Sequence, residues 1–370
     1  MSPAELESAL RRRGTGFAEL QRLVHPTRFP ISPSRAWLGL SRAVVTLALG
    51  QACLLASPAQ PALAVALSVA GWIVSSTGLA GFFIVGHECG HQAFSRTPWV
   101  NTVVGHLCMS PILIGFHNWR RAHAHHHAHT QMRGEDTDWP EQMPTRAAYD
   151  AASPWDRWRA RLAYGSFVGT LLGFPVAIVR RTFMRALYPQ VKLSRRARRE
   201  LALSNALMVL ASGGIIGGLW LTRGFGGMMR HYGIPMYLGM VLGTFFTYLH
   251  HSAPGARAYD RHAWNPIRGQ VAATFDVRFP AWFEWLFFHI NRHLPHHIEP
   301  RIPWYHLPRA TGTLRAAVPE LAADRRFSLR YLTRAWSAPV LEPVADGTYA
   351  ASPVDAVETD PAQAPQRAPR

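Results

Sequence analysis

Between Ala43 and Gly86 the chain carries no Asp, Glu, Lys, Arg or His. Those forty-four residues would reach about 66 Å as one helix, roughly twice the ~30 Å hydrocarbon thickness of a bilayer. One crossing cannot use them all, and Pro58-Ala59-Gln60-Pro61 interrupts the run near its middle, where a turn belongs. The pattern predicts two membrane-spanning helices joined by a tight loop. A buried hairpin in a soluble protein is the competing reading, and so long an uncharged stretch disfavours it. Leu201–Thr222 and Tyr232–Leu249 repeat the plan, with Arg223, Arg230 and His231 in the loop between them.

The charges orient these hairpins. In 370 residues, 39 Lys and Arg against 22 Asp and Glu leave a net +17, a surplus that admits a nucleic-acid partner until its position is read. It lies in arms beside the apolar runs: Arg11, Arg12, Arg13, Arg22 and Arg28 before the first, and Arg180, Arg181, Arg185, Lys192, Arg195, Arg196, Arg198 and Arg199 before the second. The positive-inside rule places both arms in the cytoplasm, where they serve orientation and anionic headgroups, and no nucleic-acid partner is expected. Thr97–Trp119 and Leu162–Val179 are also apolar and must together cross an even number of times. We read both as interfacial or re-entrant, because two more crossings would separate the histidine clusters onto opposite faces.

The expected fold class is an all-α integral membrane protein of the cell inner membrane. It has two transmembrane hairpins, four spans in all, with interfacial helices, a cytoplasmic helical cap and both termini cytoplasmic. Its expected parts are a basic arm (1–42), a membrane domain (43–310), a cytoplasmic extension (311–337) and a disordered tail (338–370) rich in Pro, Ala and Asp. The basic N-terminus lacks the short apolar core and cleavage site of a secretory signal. Cys53, Cys89 and Cys108 form no CxxC pair, which argues against a disulfide framework.

Of 19 histidines, nine fall in 87–129 and eight in 250–306. His87-Glu88-Cys89-Gly90-His91 follows the second apolar run and puts two imidazoles on one helical face at i and i+4. It also matches H-E-x-x-H, in which Glu88 would be the base of a zinc protease. His123, His126 and His127 again share one face, while His125 and His129 point elsewhere on that helix. His293, His296 and His297 repeat the H-x-x-H-H spacing, and Pro295 requires the helix to begin near His293. His251 ends the last apolar run, and His250 beside it cannot aim at the same point.

A zinc protease needs three protein ligands and an open position. The matching positions here supply His87, His91, His123, His126, His127, His251, His293, His296 and His297, too many imidazoles for one four- or five-coordinate ion and suited to two. Imidazole accommodates Fe, Zn, Cu and Ni, so the donors alone do not name the metal. Such a site at a membrane surface, with no phosphate loop or activated nucleophile in view, points to redox chemistry on a lipid. A metal transporter would need polar residues within the spans, and 43–86 carries no ionisable one.

The strings HECGH (87–91), WRRAHAHHHAHT (119–130) and HLPHHIEPRIPWYHL (293–307) resemble the three histidine boxes of membrane fatty acid desaturases, most closely the acyl-lipid Δ12-type branch. Tyr248-Leu249-His250-His251-Ser252-Ala253-Pro254 looks like the fourth histidine motif of that family, and Gly269–Asp276 like its segment before the third box. The likeness covers about 35–310 in order and spacing. It implies two non-haem Fe held by the nine histidines, O₂ as oxidant, a membrane-lipid acyl substrate and an external electron donor. No cytochrome b5 haem motif is visible, so a separate ferredoxin is expected ahead of a cytochrome b5. Glu88, His125, His129, Thr247, His250 and His289 stand where they can support the ligands without binding metal. His250 replaces a usual Gln, and Thr247 occupies the position of an Asn in acyl-CoA relatives. Membrane di-iron hydroxylases and ketolases share such boxes and form the nearest alternative.

Overall fold

Proline in the first turn, where its missing N–H costs nothing, opens the helices that begin at residues 33, 61 and 98. The computed structural model describes residues 3–56, 58–136, 143–164, 193–251, 256–322, 325–330, 333 and 340–352. Two short helices, α1 (Pro3–Arg12) and α2 (Phe17–Leu23), precede α3 (Pro33–Leu55) and α4 (Pro61–Gly90). The break between α3 and α4 falls at the expected proline pair. Their axes approach closely because glycines face the partner: a Cβ on Gly50 would stand 2.4 Å from the Ser75 nitrogen, and one on Gly78 2.5 Å from that of Leu47.

Helix α5 (Pro98–Met109) runs through a short 3₁₀ turn to Ile112, and α6 (Phe116–His129) leaves it at 100°. Leu113, at φ +60°, makes the corner. A bend of this size is that of a broken span or of a re-entrant loop, and it aims the second histidine box back toward the first. Helices α7 (Arg146–Asp150) and α8 (Pro154–Tyr164) follow, and most of the apolar run 162–179 lies outside the described residues.

The second apolar pair is helical from Arg195 to His251, as α9 (Arg195–Met228), a π-turn over Met229–Gly233 and α10 (Ile234–His251). Gly224, at φ +67°, breaks α9. The chain then folds back, since the Tyr232 hydroxyl lies 3.4 Å from Ser212 Oγ and donates to the Pro111 carbonyl at 2.7 Å. Twenty residues of straight helix would hold Tyr232 and Ser212 about 30 Å apart. Among the described residues three helical stretches are long and apolar enough to cross a membrane, or four if the bent α5–α6 pair is one span, and the third stretch doubles back on itself.

Beyond α10 come strand β1 (Arg257–Tyr259), β2 (Val277–Arg278), α11 (Ala281–Leu286), α12 (His293–Ile298) and α13 (Leu307–Ala317). Strand β3 (Arg325–Arg326) pairs with β2 in parallel. The fold is mostly helical, but the all-α expectation missed this sheet structure, and three boundaries need correction. Residues 1–42 are not an arm: Leu10, Leu20 and Phe29 pack on Ile298, Ile302 and Leu314 of the third box and α13. The 42/43 boundary falls inside α3, because the helix continues two turns past the point where charge appears. Residues 340–352, inside the tail expected to be disordered, form β4 (Val340–Ala345) and β5 (Thr348–Ser352) about a two-residue Asp346-Gly347 turn. Gly347 takes φ +59° there, Val340 and Leu341 are buried, and β5 pairs in turn with β1. Residues 353–370 lie outside the described residues.

Candidate metal centre

Four helices converge at the histidines. His87 and His91 end α4, His123, His126 and His127 line α6, His251 closes α10, and α12 supplies His293, His296 and His297. The structure brings all nine together as two adjoining groups. In the first, His87, His91, His123 and His296 place their ligating atoms within 4.8 Å of one another. His127 joins them, its Nε2 3.1 Å from those of His123 and His296. In the second, His126, His251 and His297 converge likewise, and the Nε2 of His293 lies 3.0 Å from those of His251 and His297. The groups meet where the His127 and His297 rings stack at 4.3 Å.

This donor set fits metal ions. Two nitrogens bound at right angles to one ion, each ~2.1 Å away, lie about 3.0 Å apart, the spacing found here. His91 Nε2 is buried with no hydrogen-bond partner among the described residues. Burial and neighbouring imidazoles push His91, His123, His127, His293, His296 and His297 well below the ordinary 6.5, so each is neutral with a lone pair to give.

Outer partners choose the tautomers. Asp136 accepts from His126 Nδ1 at 2.7 Å and takes the Gln131 backbone N–H on its other oxygen, leaving His126 Nε2 for the centre. Thr130 donates its hydroxyl proton to the His126 carbonyl at 2.8 Å. It therefore accepts from His297 Nδ1 at 3.3 Å, which again frees Nε2. Asp276 receives the Leu294 N–H at 2.8 Å and so holds the first turn of α12. Burial raises its pKa, while that bond and Arg315 oppose the shift. Asp136, Thr130 and Asp276 were not singled out from the sequence. Gly134, at φ +78°, was the one local sign of the turn that returns Asp136 to α6.

The remaining candidates lie apart from the two groups. Glu88 is turned away, its Oε2 accepting the Trp304 backbone N–H at 2.8 Å, which ties the first box to the third and denies it a protease base's position. His250 stacks on His293 at 3.9 Å. Thr247 returns its hydroxyl to the Gly243 carbonyl at 3.2 Å. His289 faces Trp304 and Glu284. His125 and His129 stack on each other at 4.1 Å beside Glu135, on the half-exposed side of α6.

Next to the histidines an apolar cavity of about 160 Å³ runs between α4 and α10, lined by Leu79, Phe83, Ile112, Met236, Met240 and Phe246. Thr247 and His250 line it beside His87, His123 and His251.

A family profile described as Fatty acid desaturase matches residues 59–328. The chain belongs to the fatty acid desaturase family. It is similar to an sn-1 oleoyl-lipid 12-desaturase of Picosynechococcus sp., 30% identical over 310 residues covering 81% of this chain and 82% of that one. The corresponding protein of Synechocystis sp. is 31% identical over 257 residues, 70% of this chain and 71% of its own. The chloroplastic omega-6 fatty acid desaturase of Spinacia oleracea is 30% identical over 289 residues, 77% of this chain and 60% of its own. The desaturase is thus an oxidoreductase, and its histidine clusters sit at the ends of helices fit for a membrane.

Proposed function

We propose that this desaturase places a cis double bond in the acyl chain of a membrane glycerolipid, at the 12 or omega-6 position, using O₂ and two iron ions. The observation that carries the reading is the pair of imidazole groups beside an apolar slot. The names of the cyanobacterial and chloroplast relatives support the position and the lipid-linked substrate.

His87, His91, His123, His127 and His296 would hold one iron, and His126, His251, His293 and His297 the other. Iron supplies the O₂-dependent oxidising power that removing hydrogen from an unactivated methylene requires. The protein's part is positioning. Leu79, Phe83, Met240 and Phe246 hold the chain against His87 and His251 and exclude water, which restricts reaction to one pair of carbons. Two hydrogens leave adjacent methylenes while O₂, two electrons and two further protons become two waters.

The two electrons come from a separate one-electron donor. A ferredoxin is favoured over cytochrome b5, and the name of an omega-3 relative from Nostoc sp., 27% identical over 256 residues, specifies ferredoxin. The two hairpins give four crossings of the inner membrane with the histidines and both termini cytoplasmic, a reading supported by the basic residues before α3 and at the start of α9.

Expression with a ferredoxin in a host whose lipids carry oleoyl chains tests the proposal. Fatty-acid profiling is expected to show a diunsaturated 18-carbon product that disappears in His127→Ala. A profile unchanged from the empty host, with the protein iron-loaded, overturns it.

A further inference from the structure

The ends of the hairpins farthest from the histidines carry cations and no carboxylate. Pro61 opens α4 and His87 lies near its other end, about 39 Å along the axis. At the far end Arg223 precedes the break in α9 and Arg230 and His231 lie in the π-turn before α10, while no Asp or Glu occurs anywhere in 33–86 or 201–251. These cations line a groove of about 690 Å³ together with apolar residues that include Leu54, Val65 and Trp72.

The cations are set differently. Arg230 is fixed, its Nε and Nη2 donating to the Leu54 carbonyl at 3.1 and 3.0 Å, where they cap the last turn of α3. Trp72 Nε1 holds the Arg230 carbonyl at 3.1 Å, and His231 Nδ1 meets Gln51 Oε1 at 3.0 Å. Arg230 Nη1 is left without a hydrogen bond among the described residues. Arg223 is exposed and has no ion-pair partner among them. Arginine concentrates on the cytoplasmic side of membrane proteins. Two arginines on the face opposite the histidines, with no acid nearby, therefore call for a counter-charge from outside the chain.

A groove that holds two arginines beside apolar side chains complements one membrane component. A phosphodiester offers two acceptor oxygens to a guanidinium fork, and its acyl chains take the apolar side chains. We propose that this groove binds an anionic phospholipid, its phosphate between Arg223 and Arg230 and one acyl chain along Val65 and Trp72, bridging the ends of the two hairpins. The proposal rests on reading the hairpins as membrane crossings with the histidines at the other face.

Native mass spectrometry of the iron-loaded full chain in detergent tests it, with dioleoyl phosphatidylglycerol, dioleoyl phosphatidylcholine or inorganic phosphate as probe. Phosphatidylglycerol is expected to be retained at one per chain. Arg223→Gln should weaken retention about five-fold, the factor given by ~1 kcal/mol per surface cation, and Arg223→Lys, which keeps the charge without the fork, should restore it in part. Millimolar inorganic phosphate should not displace the lipid. Equal retention by wild type and Arg223→Gln, equal retention of phosphatidylcholine, or displacement by inorganic phosphate overturns it. Iron content and desaturation, unchanged in Arg223→Gln, separate a failure here from a failure of the proposed activity.

Discussion

His126 and His127 are neighbours on α6, yet one faces each group, and the difference shows in what their other ring nitrogens meet. His126 rests on Asp136, and orienting carboxylates of this kind are worth 10- to 100-fold in metal affinity. Asp136→Asn should therefore lower iron retention by about that factor while the chain still folds, as iron analysis after mild chelation would show. The adjacent pair at the end of α10 offers a sharper contrast. His251→Ala should lose iron from the centre, whereas His250→Ala, which removes only a ring stacked on His293, should keep it. Equal iron loss in both would contradict the assignment. The spacing of eight of the nine imidazoles could be read from the sequence because i, i+3 and i+4 positions share a helix face, and His251 was marked by its place at the end of an apolar run. Asp136 and Thr130 could not, since a turn of positive-φ residues, Gln131 and Gly134, decides which side chains return to α6.

Helices α3 and α4 form one element because their glycines let backbones touch. Gly78→Leu would drive a side chain into the Leu47 backbone, and overpacking of this kind costs about 1–3 kcal/mol. Its unfolding midpoint in detergent should fall by several degrees, with iron content retained in the protein still folded. Gly239 on α10 has the opposite character. A Cβ there stands in ordinary contact, 3.4 Å from the Ser76 carbonyl and 3.5 Å from the Leu79 Cβ, and the residue lines the slot. Gly239→Leu should fold normally and shift products toward acyl chains about two carbons shorter, because at ~1.3 Å per methylene a leucine fills roughly that length. Uncharged length and a proline pair announced α3 and α4. The β4–β5 hairpin also carried a sign, Asp346-Gly347 between two runs with apolar positions, which the Pro- and Ala-rich composition of the tail obscured. The Tyr232–Ser212 fold-back depends on one glycine at φ +67°, a torsion that composition does not encode.

Across the whole molecule, the buried histidines couple folding, metal and pH in one direction. Each has a pKa below its unfolded 6.5, so below that pH the unfolded chain binds more protons than the folded one. Stability and metal retention should be constant above about pH 7 and fall as pH drops from 6.5 toward 5. Thermal unfolding at stepped pH checks the sign, and a midpoint that rises on acidification would contradict burial of neutral imidazoles. The N-terminal helices matter at this scale too, because α1 and α2 clamp the third box through Leu10 and Leu20. The most direct test of the whole account is elemental analysis of the purified, active protein. Nine ligands in two adjoining groups predict about two Fe per chain and negligible Zn. One metal ion per chain, or zinc in place of iron, would contradict it.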